Sequence, residues 1–326
     1  MSELRWNPFL REWVITATHR QDRTFLPPRD YCPLCPTKPG SPPTEIDRPD
    51  FDIAVFENRF PSLRPVPEEP AVDGTALMPV RPSIGACEVV VYTARHDGTL
   101  ADASVEHIER LIAVWAHRTV ELGAAPHAEY VFVFENKGEA IGVTLNHPHG
   151  QIYAYPFIPP LIEREAAAAH AHQADHGSCL WCRAQADELA DGRRVVAQND
   201  NWVAGVPFAA HWPYELHLVP RRHVGWLHEL RVDERRELAA MLQSVMRGYD
   251  RLFGFSLPYI MAIHQRPTGG EKHGDYHLHI EFSPPHRTES KLKYLAGSET
   301  AAGAFINDTL PEETAASLRA VMEHPA

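Results

Sequence analysis

Two Cys-x-x-Cys pairs in a histidine-rich chain carry the first chemical signal. Cys32-Pro-Leu-Cys35 and Cys179-Leu-Trp-Cys182 use four of the five cysteines, and 20 of the 326 residues are histidine. Pairs at this spacing in a reducing compartment are more often metal ligands or redox centres than structural disulfides. Histidines follow each pair in the same order. Arg95-His96 and His147-Pro-His149 follow the first, and Arg222-His223 and His277-Leu-His279 follow the second. Cys32, Cys35, His96 and His147 therefore form one set of four N/S donors, and Cys179, Cys182, His223 and His277 a second. Such sets suit tetrahedral zinc, and a site closed by four protein ligands is structural rather than catalytic. A thioredoxin-like role is not expected, because neither pair lies between the strand and helix of a βαβ unit. Cys87 sits in an apolar run and reads as core.

The second signal is the run Gly142-Val-Thr-Leu-Asn-His-Pro-His-Gly-Gln151. An unprotonated imidazole is a competent nucleophile towards phosphorus. It needs one ring nitrogen held by an acceptor, so that the other keeps its lone pair. It also needs donors for the charge that builds on the phosphoryl oxygens. His149 is the candidate nucleophile, and Gln151 and Thr144 are candidate donors. Pro148 stiffens the backbone, and Gly150 reads as room for an anionic group to approach it. Zinc at His147 would fix the backbone two residues before the nucleophile.

The elements that must hold these residues can be read from the apolar pattern. Strands are expected at 13–17, 53–56, 87–93, 130–134 and 152–155, with a Pro- and Gly-rich surface connection over 61–86. Val105, Ile108, Leu111, Ile112, Trp115 and Leu122 recur at helical spacing, which predicts a helix over 103–122 capped by Asp102 or Ser104. The Ala-rich segment 161–176 is also expected to be helical. In the second half, strands are expected at 216–219, 259–263 and 276–280. Helices are expected over 233–253, with Asp233 as cap, and over 311–323. The order repeats. Cys32 and Cys179 are 147 positions apart, His96 and His223 127, and His147 and His277 130. An internal duplication explains this, giving two similar α+β units in one chain.

Composition narrows the class. With 31 Lys+Arg against 43 Asp+Glu the net charge is −12, which argues against a nucleic-acid partner held through phosphates. A chain 44% hydrophobic and 23% charged is globular rather than disordered. No apolar run approaches about 20 residues, so no membrane span is expected. The first residues lack the apolar centre of a signal peptide, and the cytoplasm is the expected location.

Phe134-Glu-Asn-Lys-Gly138 followed by Asn146-His-Pro-His-Gly-Gln151 resembles the galactose-1-phosphate uridylyltransferase branch of the histidine-triad superfamily. The likeness spans nearly the whole chain. It takes in His19-Arg20-x-x-Arg23, Cys32/Cys35, Phe56-x-Asn58-x-Phe60 and Lys293-Tyr-Leu-Ala-Gly297. The resemblance implies two fused histidine-triad-like units, each an antiparallel sheet with helices packed on it. We set the first at residues 1–176, with the catalytic motif and first zinc site, and the second at 177–326. It further implies a ping-pong reaction. His149 attacks the α-phosphorus of UDP-glucose, glucose 1-phosphate leaves, and galactose 1-phosphate takes the uridylyl group from the histidine to give UDP-galactose. By the same mapping Gln151 would hydrogen-bond the transferred phosphoryl group, and Thr144 stands where the family often has Ser. Asn136 would contact the nucleotide phosphates, Asn58 the nucleotide, Arg20 and Arg23 the substrate pocket, and Lys293 the sugar phosphate. Zinc without an organic cofactor, small-molecule substrates and a homodimer are implied as well.

Some members carry a second metal on one Glu and three His. The matching residues here are Glu165, His264, His279 and Glu281, with Glu281 in place of a His. Because the second Cys-x-x-Cys is also retained, a second zinc on the repeated tetrad is preferred to that site. In the tail, Ser298 and Phe305 stand where better-known enzymes place a Tyr and a Gln near the hexose. Galactose specificity is therefore less firmly implied than nucleotidyl transfer. The alternatives are a related nucleotidyltransferase or phosphorylase acting on ADP-glucose or another sugar 1-phosphate, and a non-catalytic zinc-stabilised nucleotide-binding module.

Overall fold

A computed structural model of the chain describes residues 2–23 and 31–323. The chain opens with a hairpin, β1 (Ser2–Asn7) and β2 (Glu12–Ala17), and then β3 (Ala54–Glu57). A short β4 (Val80–Pro82) lies inside the stretch read from sequence as irregular; it pairs with β1 to make a three-stranded sheet. The chain continues with β5 (Ala86–Val91), α1 (Val105–Gly123), β6 (Tyr130–Lys137), β7 (His149–Tyr155) and α2 (Pro160–His176). Then come α3 (Leu180–Asp191), β8 (Val195–Gln198), β9 (Trp202–Gly205), β10 (Leu216–Pro220), α4 (Val232–Leu252), β11 (Tyr259–His264) and β12 (His279–Ser283). A small hairpin of β13 (His286–Thr288) and β14 (Lys291–Leu292) leads to α5 (Gly297–Ala302) and α6 (Pro311–Glu323).

The expected fold class, α+β with two repeated units, holds. The two sheets do not stay separate, however. They join edge to edge into one nine-stranded sheet, ordered β3-β5-β7-β6-β11-β12-β10-β9-β8, in which every pairing is antiparallel. The seam is β6 against β11, where Val133 lies opposite Ile263. Those two residues are 130 positions apart, the same offset as His147 and His277. Equivalent strands of the two repeats thus meet about a local twofold.

The helices α1 and α4 are also equivalent. Ile108, Leu111, Ile112, Trp115 and Ala116 bury one stripe of α1, and Leu238, Met241, Leu242, Val245 and Tyr249 bury one stripe of α4. The two pack on each other and on one face of the sheet, and their side chains share a single core with both halves. Ser104 caps α1 by accepting from the His107 N–H, while the Asp102 carboxylate closes the preceding turn at Thr99. At α4 the expected cap is displaced. Arg231 holds that position because the Glu234 carboxylate accepts its main-chain N–H, and Asp233 falls inside the first turn. The strand expected at 276–280 begins only at His279. Tyr276 and Leu278 are instead tied to loop carbonyls of His273 and Val224. The opposite face of the sheet is covered by the β1–β2 hairpin, through Leu4, Trp13 and Ile15 against Tyr153 and Phe134, and by Ile162 of α2 against Tyr130. The functional groups lie on this second face.

Candidate active site and metal centres

Strand β7 lies between β5 and β6, with His149 opposite Val91 and Gln151 opposite Val89 and Phe134. Facing residues of an antiparallel pair project to the same side. His149, Gln151, Val89, Phe134 and Asn136 therefore share one face, and a cavity of about 560 Å³ opens there. It is lined by Arg20, Asn58, Asn136, Thr144, His149 and Gln151, with Leu34, Phe56, Phe60 and Val89 supplying an apolar wall. Six of the expected substrate-side residues are thus brought together. Arg23 ends the 3-10 turn Thr18–Arg23, and its side chain lies outside the described residues. Lys293 is not among the cavity-lining residues. Its ammonium is buried against Glu299 and the Ile306 carbonyl.

The His149 Nδ1 lies 2.7 Å from the His147 carbonyl oxygen. A carbonyl only accepts, so Nδ1 carries the proton and donates, and Nε2 keeps its lone pair. Burial holds this imidazole below its ordinary 6.5, against the opposing effect of the His147 carbonyl bond. The neutral, nucleophilic form is the resting state at neutral pH. The Gln151 Oε1 accepts from Asn58 Nδ2 and from Tyr153 Oη, both at 3.2 Å. With its oxygen so engaged, Gln151 offers its N–H groups to an anion beside the imidazole.

Gly150 has a reason other than the one expected. A Cβ there would point to the opposite, helix-covered face and come within 2.1 Å of the Tyr92 hydroxyl. The missing side chain makes room for Tyr92, not for an anion.

Both Cys/His tetrads are assembled, with all four donor atoms of each within 4.8 Å of one another. In the first, Cys35 Sγ lies 3.4 Å from His96 Nδ1 and 3.5 Å from His147 Nδ1, and Cys32 Sγ lies 3.8 Å from His147 Nδ1. In the second, Cys179 and Cys182 Sγ each lie 3.5 Å from His277 Nδ1. Tetrahedral zinc with ordinary bond lengths separates N and S ligands by about 3.6 Å, so the donor sets fit that ion. The tautomers fit as well. The far nitrogens of His147, His277 and His223 donate to the carbonyls of Thr93 (2.7 Å), Pro220 (3.1 Å) and Gly274 (3.0 Å), leaving each Nδ1 lone pair free for a metal. Burial and the neighbouring thiol push Cys35 up to about 11 and Cys182 up to about 12. A dication between the sulfurs reverses that penalty.

The Glu165/His264/His279/Glu281 cluster is separate from the second tetrad and is assembled at the same time, so the two do not compete for residues. Glu165 Oε1 accepts from His264 Nδ1 at 3.1 Å, and His279 Nε2 stands 3.5 Å from Glu281 Oε1. Burial opposes charge on His264, yet Glu281 and Glu165 outweigh it and raise the imidazole to about 9. His279 Nε2 is buried without a hydrogen-bond partner, so the donor set also fits a cation.

His279 repeats His149: its Nδ1 donates to the His277 carbonyl at 2.9 Å. Its surroundings differ. Trp181 stacks on the ring with centroids 3.9 Å apart, and no side-chain surface is left open. Trp181 occupies the same place between its cysteines that Leu34, a cavity-lining residue, occupies between Cys32 and Cys35. The second unit's equivalent of the cavity is filled by an indole. Sequence reasoning missed Trp181, as well as His217, whose Nε2 lies 2.9 Å from Glu215 and 3.3 Å from Glu281. It also missed Tyr92 and Glu135. The signals were present as an aromatic inside a Cys-x-x-Cys and an acid inside an apolar strand.

The chain is similar to known proteins throughout. Residues 1–159 match the family described as galactose-1-phosphate uridyl transferase, N-terminal domain, and residues 165–325 match its C-terminal domain. A galactose-1-phosphate uridylyltransferase of Thermotoga maritima is 40% identical over 322 residues, covering 98% of each chain. One from Rattus norvegicus is 34% identical and is covered over 88% of its length by 98% of this chain. A solved structure of a uridylyltransferase mutant superimposes with a TM-score of 0.87 at 36% identity, over 98% of this chain and 99% of that one. An ADP-glucose phosphorylase from Arabidopsis thaliana shares the fold, with a TM-score of 0.73 at 22% identity.

Proposed function

The chain belongs to the galactose-1-phosphate uridylyltransferase family, and from that premise we propose how its residues divide the work. The protein is a nucleotidyltransferase that moves UMP from UDP-glucose to galactose 1-phosphate through a uridylyl-histidine. The observation that carries the assignment of His149 is its tautomer: Nδ1 donates to the His147 carbonyl at 2.7 Å while the ring lines the cavity. Nε2 attacks the α-phosphorus, the P–O bond to glucose 1-phosphate breaks, and that product carries away the bonding pair as phosphate charge. The Nδ1–H···O bond stabilises the imidazole as it becomes cationic on bonding to phosphorus. Galactose 1-phosphate then attacks the same phosphorus, and the neutral ring is restored with UDP-galactose released. Gln151, Asn136 and Arg20 face the charge on the phosphoryl oxygens, Thr144 lines the same cavity, and Arg23 is kept as a substrate-pocket residue on the family resemblance alone. The apolar wall of Leu34, Phe56, Phe60 and Val89 suits a flat base, and Asn58 suits its polar edge.

We assign zinc to Cys32, Cys35, His96 and His147, and a second zinc to Cys179, Cys182, His223 and His277. The Glu165, His264, His279 and Glu281 cluster is the less favoured metal position. Zinc at the first tetrad supplies rigidity to the strand that bears His149. The units divide at 176/177, where Gly177 ends α2 in a left-handed conformation. We assign a homodimer, which would give the individually exposed Tyr294, Leu295, Ile306 and Leu310 of the C-terminal segment an apolar neighbour. Lys293 is kept as the candidate for the sugar phosphate, as the family resemblance implies, although it is not among the residues lining the cavity of one protomer. No described helix is long and apolar enough to cross a membrane, and a cytoplasmic setting suits five thiols kept reduced.

The test is mass spectrometry of the intact protein. UDP-glucose alone is expected to add one uridylyl group, mapped to His149, and galactose 1-phosphate to discharge it. Absence of the adduct on protein that binds UDP-glucose refutes the mechanism. ADP-glucose as donor and inorganic phosphate as acceptor are the comparisons that would favour a phosphorylase.

A further inference from the structure

Glu135 is a buried carboxyl for which the transfer chemistry has no use. It lies on β6 between Phe134 and Asn136, yet strand alternation turns it to the opposite, helix-covered face, where it is 4% exposed. An apolar side chain of similar size would pack there at lower cost, so the acid must answer a specific need. Its surroundings show what that need is. Oε2 accepts from Tyr92 Oη and Oε1 from Tyr259 Oη, each at 3.5 Å. The two tyrosines, both fully buried, come from the end of β5 and the start of β11, one from each repeat. Lys137, which is paired with Asp250 at 2.9 Å and lies over the Tyr259 ring, is the nearest cation.

Tyr92 reaches the nucleophile's strand in two ways. Its main-chain N–H donates to the Pro148 carbonyl at 3.0 Å. Its hydroxyl lies directly under Gly150, so close that any Cβ there would overlap it. One residue thus touches the chain immediately before and immediately after His149. The hydroxyl cannot move towards the strand, and its bond to Glu135 keeps it from moving away.

We propose that Glu135, Tyr92 and Tyr259 form a buried cradle that sets the position of His149, with the carboxyl locking the Tyr92 hydroxyl beneath Gly150 while the Tyr92 N–H holds Pro148. The inference rests on His149 being the nucleophile. Glu135 is a positioning residue within it: it contacts neither substrate nor the reacting atoms. Burial, with Lys137 opposing, pushes its carboxyl up to about 7, so it can hold a proton and donate as well as accept within the cradle.

The experiment follows uridylylation of the full-length protein by saturating UDP-glucose, read by intact mass over time, with melting measured for each variant. Glu135→Ala is expected to slow the maximal labelling rate about 100-fold, the scale of an ångström misplacement. The UDP-glucose concentration giving half the maximal rate should stay within about twofold, because binding is untouched. Glu135→Gln keeps an acceptor and a donor for the two hydroxyls and should recover to within about threefold of the parent. A Glu135→Ala protein labelled at the parental rate overturns the cradle. So does a loss confined to half-saturation, or equal losses in the Ala and Gln variants. Should Glu135→Ala fail to fold, Tyr92→Phe removes one hydroxyl only: slower labelling supports the cradle and parental labelling overturns it. If the parent itself takes no label, the uridylyl reading fails and the cradle with it. If the parent is labelled and the variants match it, the cradle alone fails.

Discussion

Gly150→Ala is the substitution whose effect the geometry fixes most tightly. The added Cβ would lie 2.1 Å from Tyr92 Oη, 2.9 Å from the Phe134 carbonyl oxygen and 3.0 Å from Tyr92 Cζ. Ordinary contact needs about 3.5 Å, so roughly 1 Å of movement is required. The Phe134 carbonyl belongs to a central strand and cannot yield. Tyr92 can, but it packs edge-on to Trp115, with centroids 6.0 Å apart, and would leave Glu135. Overpacking costs about 1–3 kcal/mol, and a buried hydroxyl without its partner about 1–3 kcal/mol more. A loss of about 4 kcal/mol is expected, or roughly 6 °C in melting for a chain of this size. Labelling of His149 by UDP-glucose should fall about 100-fold at saturation, since the strand is displaced at the nucleophile's own neighbour. Gly297→Ala is the control, because a Cβ there meets nothing within 4 Å. Adding Tyr92→Phe to Gly150→Ala removes the shortest contact and should recover part of the melting loss. A Gly150→Ala protein that melts and labels like the parent refutes the reasoning.

Cys32→Ser should lower zinc content and melting together, because binding energy at a structural site is folding energy. His149→Ala should abolish labelling while leaving zinc and melting nearly unchanged; equal thermal damage from the two would contradict this division of labour. Metal analysis should find at least two zinc ions per chain, and Cys179→Ser should remove one while the first tetrad stays loaded. A zinc content unaffected by Cys179→Ser argues against the second site. Glu135 also makes a pH prediction. Its folded value of about 7 lies above the ordinary 4.5, so the folded state holds the proton more tightly. Its stabilising contribution is complete below about pH 4.5 and is lost as pH rises through about 7, on the order of 3 kcal/mol at most. Glu135→Gln should therefore melt higher than the parent at pH 8 and close to it at pH 5, as read by calorimetry; a constant difference across that range would count against the assignment.

The parts of the fold legible in the sequence are those whose packing leaves a periodic trace. α1 and α4 bury one stripe each against a shared core, and their helical spacing located both to within a few residues. α3 buries no residue completely, so it left no stripe to read. The strands β8 and β9 are four residues each, too short for alternation to stand out. β1 was missed because its buried positions include Ser2 and Glu3, the latter tolerated because its carboxylate accepts from the Arg5 guanidinium and the Ala71 N–H. At the site, Cys/His spacing sufficed for both tetrads because ligand type restricts what such residues can do. Contacts across long separations left no such trace. Asn58 holds Gln151 from 93 positions away, and Tyr259 reaches Glu135 from 124.

The duplication gives one chain two equivalent histidines, of which His149 lines an open cavity and His279 is closed off. His149 and His279 receive the same backbone support, each from the carbonyl two residues earlier, and each follows a tetrad whose imidazole is oriented in the same way. What separates them is the filling of the adjacent space. Leu34 lies back against Val89 and Val91 and leaves the cavity open, whereas Trp181 lies flat on His279 and occupies it. The residue two after each histidine diverges in the same sense: Gln151 offers N–H groups to an anion, and Glu281 repels one. Opening the second position by Trp181→Leu alone should therefore expose the ring without creating a second uridylylation site, because the carboxylate still excludes a phosphate. A second uridylyl adduct on Trp181→Leu, mapped to His279, would show that steric closure alone had silenced that half.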